Sequence, residues 1–95
     1  MKTKYTVITG ASSGIGRAVA LKFAERNKNL ILIARRKNLL KDLKSEILKK
    51  NPNLDVLVID FDLTDVGKIP ELYSKLKNYH IETLINNAGF GMYGD

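Results

Sequence analysis

Glycine recurs at positions 10, 14 and 16 in the run Thr9-Gly10-Ala11-Ser12-Ser13-Gly14-Ile15-Gly16. A short β-rich stretch, Tyr5 to Thr9, precedes it, and a helical pattern opens at Gly14. Glycines at a strand-to-helix junction let backbone N–H groups close on a phosphate at the helix N-terminus. In this reading Gly10 permits the tight turn. Gly14 and Gly16 keep side chains away from a pyrophosphate and allow close helix packing. Ser12 and Ser13 add hydroxyl donors, and Thr9 reads as a turn-fixing hydroxyl rather than a ligand. The competing reading is a turn whose glycines serve only its own geometry.

A second group of residues bears on which phosphate is bound. Dinucleotide sites that favour NAD place a carboxylate about 20 residues past the glycines, at the end of the second strand. That region here reads Ile33-Ala34-Arg35-Arg36-Lys37, with Ala34 at the acidic position and no carboxylate. A carboxylate repels a ribose 2′-phosphate, whereas a guanidinium binds one through paired, charge-assisted hydrogen bonds. Arg35 and Arg36 therefore point to NADP(H), with NAD(H) less favoured. Alternatively, these arginines only begin a basic helix surface.

The elements that must hold these residues alternate strictly. After the glycine run, a helix to about Asn27 carries Ile15, Ala18, Val19, Leu21, Phe23 and Ala24 as its apolar band. Leu30 to Ala34 is a continuous apolar run, the signature of a parallel strand covered on both faces. Leu39, Leu40, Leu43, Ile47 and Leu48 recur at helical spacing until Asn51-Pro52 stops the helix. Leu54 to Ile59 reads as a third strand. Ile69, Leu72, Leu76 and Tyr79 share one face of a third helix, and Thr83-Leu84-Ile85 begins a fourth strand. Strand–helix alternation implies right-handed parallel crossovers. The expected fold is α/β: a half-Rossmann, three-layer α/β/α arrangement with a four-stranded parallel sheet in the order 3-2-1-4. The fourth strand is expected at an edge, where unpaired backbone groups invite pairing.

Composition bounds the rest. The 95 residues, 44% hydrophobic and 27% charged, suit one globular domain over residues 1–95. With no cysteine and the single histidine His80, no metal site is expected. The net charge of +6 concentrates between Arg35 and Lys50. No interleaved aromatics or nucleic-acid motif accompany it, so a solvated helix face is expected, not a nucleic-acid partner. The apolar runs fall far short of the roughly 20 residues that span a bilayer, and no signal-peptide core follows Met1. The expectation is a cytoplasmic protein without membrane attachment.

Three features occur in order: Thr-Gly-x-x-x-Gly-x-Gly at Thr9 to Gly16, Asp60-Phe61-Asp62-Leu63, and Asn86-Asn87-Ala88-Gly89. Together they resemble the short-chain dehydrogenase/reductase family, whose members are oxidoreductases using a nicotinamide dinucleotide. The resemblance covers the whole chain but only the cofactor-binding half of a family member. It implies that Ile15 packs near the nicotinamide ring. Asp62 would accept a hydrogen bond from the adenine amino group, with Leu63 beside the ring. Asn87, Ala88 and Gly89 would lie along the cofactor ribose. Asp62 and Asp65 can also be read as helix caps, and Asn87 as a tie between strands. Ser13 stands where many NADP-preferring relatives carry a basic residue, which implies weaker discrimination.

The family's catalytic pair is Tyr-x-x-x-Lys, in which the tyrosine exchanges the proton and the lysine lowers its pKa. Tyr73 and Lys77 fit that spacing, but they precede the Asn-Asn-Ala-Gly segment, whereas the family's pair follows it. They are read as a chance match on the third helix. The family's active-site serine and later asparagine have no counterpart, and Gly91 to Asp95 reads as the start of an active-site loop. No catalytic residue is therefore expected, and the chain is expected to bind dinucleotide without turnover alone. A complementing C-terminal half, or a second copy pairing along the fourth strand, is the expected partner. A stand-alone nucleotide-binding module or an inert fragment is the alternative.

Overall fold

The computed structural model describes residues 3–87. Four strands and three α-helices alternate: β1 (Lys4–Thr9), α1 (Gly14–Glu25), β2 (Asn29–Ala34), α2 (Lys37–Lys50), β3 (Val56–Asp60), α3 (Ile69–Leu76) and β4 (His80–Asn86). A 3-10 turn, Val66–Lys68, leads into α3. All strand pairs are parallel and the order is β3-β2-β1-β4, as expected. The chain steps from β1 to β2 to β3 in one direction and then crosses back to β4. Right-handed crossovers therefore put α1 and α2 on one face and α3 on the other.

Side-chain parity follows from that layering. Ile8, Leu30, Leu32 and Val56 point to the face under α1 and α2, where they meet Ala20, Ala24, Leu40, Leu43 and Ile47. Tyr5, Val7, Ile31 and Ile33 point to the other face, toward Leu72 of α3. β2 lies between β1 and β3, so Leu30 to Ala34 is buried on both faces. This is why the run is continuously apolar rather than alternating.

The boundaries moved where local chemistry outweighed periodicity. Helix α1 ends at Glu25 because Asn27 takes a left-handed conformation, with φ 62°. The N–H groups of Asn27 and Lys28 fold back onto Ala24 and Phe23, which satisfies the last carbonyls. Its buried small residues are Gly16, Ala20 and Ala24, while Ala18 faces solvent. β3 begins at Val56, after Leu54 and Asp55. α3 ends at Leu76, so Tyr79 lies in the turn before β4. There Tyr79 packs edge-on against Tyr5, with ring centroids 5.3 Å apart.

β4 departs from simple alternation. Tyr5 pairs with Ile81, but Thr6 pairs with Thr83, leaving Glu82 as an extra residue. One inserted residue flips every later side chain to the opposite face. Ile81 consequently joins the α3-side core and Ile85 joins the α1/α2-side core, although both are odd-numbered. Leu84, paired with Val7, lies over the α3 side and is 62% exposed.

Candidate functional site

The C-terminal ends of all four strands meet at one cleft of about 240 Å³. β1 leads into Gly10, Ser12 and Ser13; β2 contributes Ile33, Ala34, Arg35 and Arg36; β3 leads into Phe61, Asp62, Leu63 and Thr64; Asn87 follows β4. Between β1 and β4 the strand order reverses, and ligands of open parallel sheets sit at such a switch point. The cleft volume lies below the roughly 300–1,000 Å³ of a whole drug-sized ligand site.

The glycines have separate tasks. Gly10 has φ 64°, a left-handed turn that disfavours a side chain. A Cβ on Gly16 would run into the Gly10 carbonyl and come within 2.8 Å of Asn87 Nδ2, so α1 seats on the loop only through glycine. A Cβ on Gly14 meets nothing within 4 Å. Close packing therefore applies to Gly16, and Gly14 borders open space at the start of α1.

A hydrogen-bond network ties this loop to the end of β4. The Thr9 hydroxyl donates to Asn86 Oδ1 at 2.8 Å and accepts from the Asn87 N–H at 2.8 Å. Asn87 Nδ2 reaches Ser13 Oγ at 3.2 Å and the Gly10 carbonyl at 3.4 Å. Ser13 caps α1 by accepting from the Gly16 N–H at 3.4 Å, and its own hydroxyl donates to the Gly10 carbonyl at 2.9 Å. Ser13 thus latches the turn with the proton it could otherwise offer a phosphate. Ser12 is half-buried beside it.

Across the cleft, Arg35 and Arg36 are exposed just beyond the buried Ala34. Asp62 accepts two hydrogen bonds on a single oxygen, Oδ1: one from the Thr64 hydroxyl at 2.6 Å and one from the Thr64 N–H at 2.9 Å. These two bonds, followed by the positive charge of Arg35, hold the Asp62 carboxyl below its ordinary pKa. Asp62 therefore makes a two-residue turn instead of a helix cap. Asp65 precedes the 3-10 turn without a side-chain cap bond.

Of the residues expected at the site, Gly10, Ser12, Ser13, Arg35, Arg36, Asp62, Leu63 and Asn87 line this cleft. Gly14, Ile15 and Gly16 form the first turn of α1 next to it, with Ile15 72% exposed. Ala88 and Gly89, like Gly91 to Asp95, lie outside the described residues. Tyr73 is 71% exposed on α3 and neither it nor Lys77 lines the cleft. Phe61 and Thr64 line it without having been singled out from the sequence. The signal for Thr64 was available: an Asp followed two residues later by Thr is a turn that closes on itself.

A family model described as short chain dehydrogenase matches residues 4–95. The chain is 37% identical over 87 residues to an uncharacterized oxidoreductase of Mycobacterium tuberculosis, covering 90% of this chain and 34% of that protein. It is 37% identical over 93 residues to an 11-beta-hydroxysteroid dehydrogenase of Pinus massoniana, covering 96% of this chain and 26% of that one. Among solved structures, a short-chain dehydrogenase of Sphingobium yanoikuyae in complex with NADPH superposes with a TM-score of 0.82 at 37% identity, over 90% of this chain and 34% of that chain. The chain thus spans between about a quarter and a third of the curated relatives it matches. With the glycine loop, the strand order and the family match in agreement, this chain belongs to the short-chain dehydrogenase family.

Proposed function

We propose that residues 1–95 are the NADP(H)-binding portion of a short-chain dehydrogenase/reductase oxidoreductase. The observation that carries this reading is the convergence of four strand ends on one cleft with two guanidiniums at its rim. The residues fit the group. Gly14 leaves room at the helix N-terminus where a pyrophosphate sits, and Arg35 and Arg36 follow a buried alanine where a carboxylate would select NAD. The complex of the Sphingobium relative with NADPH supports the same choice.

In this reading Gly10, Gly14 and Gly16 shape the phosphate turn, with Ser12 beside it. Arg35 and Arg36 take the 2′-phosphate. Asp62 and Leu63 bound the adenine, Ile15 faces the nicotinamide end, and Asn87, Ala88 and Gly89 follow the ribose. When bound, the nicotinamide supplies hydride transfer. The chain's own residues bind and orient, and Tyr73 and Lys77 take no part. Turnover by the 95 residues alone is therefore expected to be undetectable. For the open β4 edge, the partner proposed is a second copy pairing antiparallel about a two-fold axis, or a complementing C-terminal half.

Calorimetric titration tests the cofactor reading. NADPH is expected to bind more tightly than NADH. Arg35→Ala is expected to cost NADPH about 1.5–3 kcal/mol, as for a charged hydrogen bond, and NADH nothing. Equal affinities in the unsubstituted chain would sink the NADP assignment.

A further inference from the structure

We propose that Thr64 is a positioning residue for adenine recognition: it fixes the Asp62 carboxylate so that Oδ2 alone is offered to the exocyclic amino group. The inference rests on the cofactor reading above and assigns a role to a residue outside it. Both Thr64 donors, the hydroxyl and the backbone N–H, fall on Oδ1 of Asp62. Among the described residues, Oδ2 carries no hydrogen bond. A carboxylate has two acceptor oxygens, and Thr64 occupies one of them.

The backbone around Asp62 is held by other means. The Phe61 N–H donates to the Ala34 carbonyl at 2.9 Å, and the Asp65 N–H donates to the Asp62 carbonyl at 3.0 Å. Phe61 and Leu63 pack against the α3-side core. Both hydrogen bonds from Thr64 to Asp62 fall on its side chain. Arg35 lines the same cleft as Asp62, and its positive charge favours the ionised carboxylate. A carboxylate freed from the Thr64 hydroxyl can therefore turn toward that guanidinium, spending both the adenine acceptor and the phosphate ligand on each other. Thr64 itself is exposed, so its hydroxyl can be removed at little cost to the core.

The test is calorimetric binding of two probes to the full chain: NADPH, and the analogue in which adenine is replaced by unsubstituted purine. The unsubstituted chain is expected to prefer NADPH. Thr64→Val keeps the side-chain shape and the backbone N–H but loses the hydroxyl. It is expected to weaken NADPH about threefold to tenfold, the worth of one side-chain hydrogen bond, and to leave the purine analogue unchanged. Thr64→Ser is expected to restore NADPH binding. Equal weakening of both probes would assign Thr64 a general structural role and overturn the proposal, as would no change in either. Failure of the unsubstituted chain to bind NADPH at all overturns the cofactor reading, and this inference with it.

Discussion

The two faces of the sheet are built to different standards. Among the described residues, eleven buried side chains under α1 and α2 form one cluster from Ile8 to Val56. Under α3, five buried described residues form the other, to which the eight-residue helix contributes Leu72, with Leu76 partly buried against it. Exposed apolar side chains concentrate on this second side: Val66, Ile69 and Tyr73 around α3, and Leu84 on the β4 edge. The difference follows from chain order. Among the described residues two crossovers cover the first face and one covers the second. The candidate cleft rests on the better-covered side through Gly16, whose helix seats directly on the Gly10 turn.

The largest expected effect lies on the α1/α2 face. Leu40 is fully buried, and Leu40→Ala is expected to cost about 2–5 kcal/mol in urea denaturation. Leu84→Ser, on the exposed edge, is expected to stay within about 0.5 kcal/mol. Comparable losses at the two positions would mean that something covers the α3 side in solution. The same position bears on association. If β4 edges pair two copies, sedimentation at micromolar concentration shows a dimer that Leu84→Lys converts to monomer. A monomer before substitution removes that partner.

The next contrast is within the turn. Gly16→Ala drives a Cβ into the Gly10 carbonyl and is expected to cost about 1–3 kcal/mol by overpacking. Gly14→Ala enters open space and is expected to leave the thermal midpoint nearly unchanged while weakening NADPH binding. If both weaken binding without destabilising, Gly16 does not pack as described.

A pH-dependent contrast lies at the opposite end of the sheet. Tyr5 donates its phenol hydrogen bond to Asp55. That bond, then burial, then the negative charge of Asp55 push the Tyr5 pKa up to about 12 from 10.0. A raised folded-state pKa contributes stability that is complete below pH 10 and is lost as pH rises through about 12. Tyr5→Phe is expected to cost about 1 kcal/mol at neutral pH and to flatten this alkaline decline. Denaturation midpoints from pH 8 to 12 would read both, and an unchanged decline in the variant would remove Tyr5 as its source.

The buried second strand, the glycine turn and the basic end of β2 were legible in the amino-acid sequence because each depends on local chemistry. Continuous apolarity marks a strand buried on both faces, glycine marks a turn no side chain tolerates, and Ala34 followed by Arg35 marks a missing carboxylate. Tertiary structure alone decided the division of labour among these residues. Gly14 and Gly16 look alike in sequence, but only Gly16 faces a backbone carbonyl. Ser12 and Ser13 look alike, but only Ser13 turns its hydroxyl back onto Gly10. The extra residue at Glu82 sends Ile85 and Leu84 to faces that alternation does not predict, because register depends on the neighbouring strand. Local propensity is set by each residue and its near neighbours. Close approach and register are set between segments distant in the chain, and only the folded molecule brings those together.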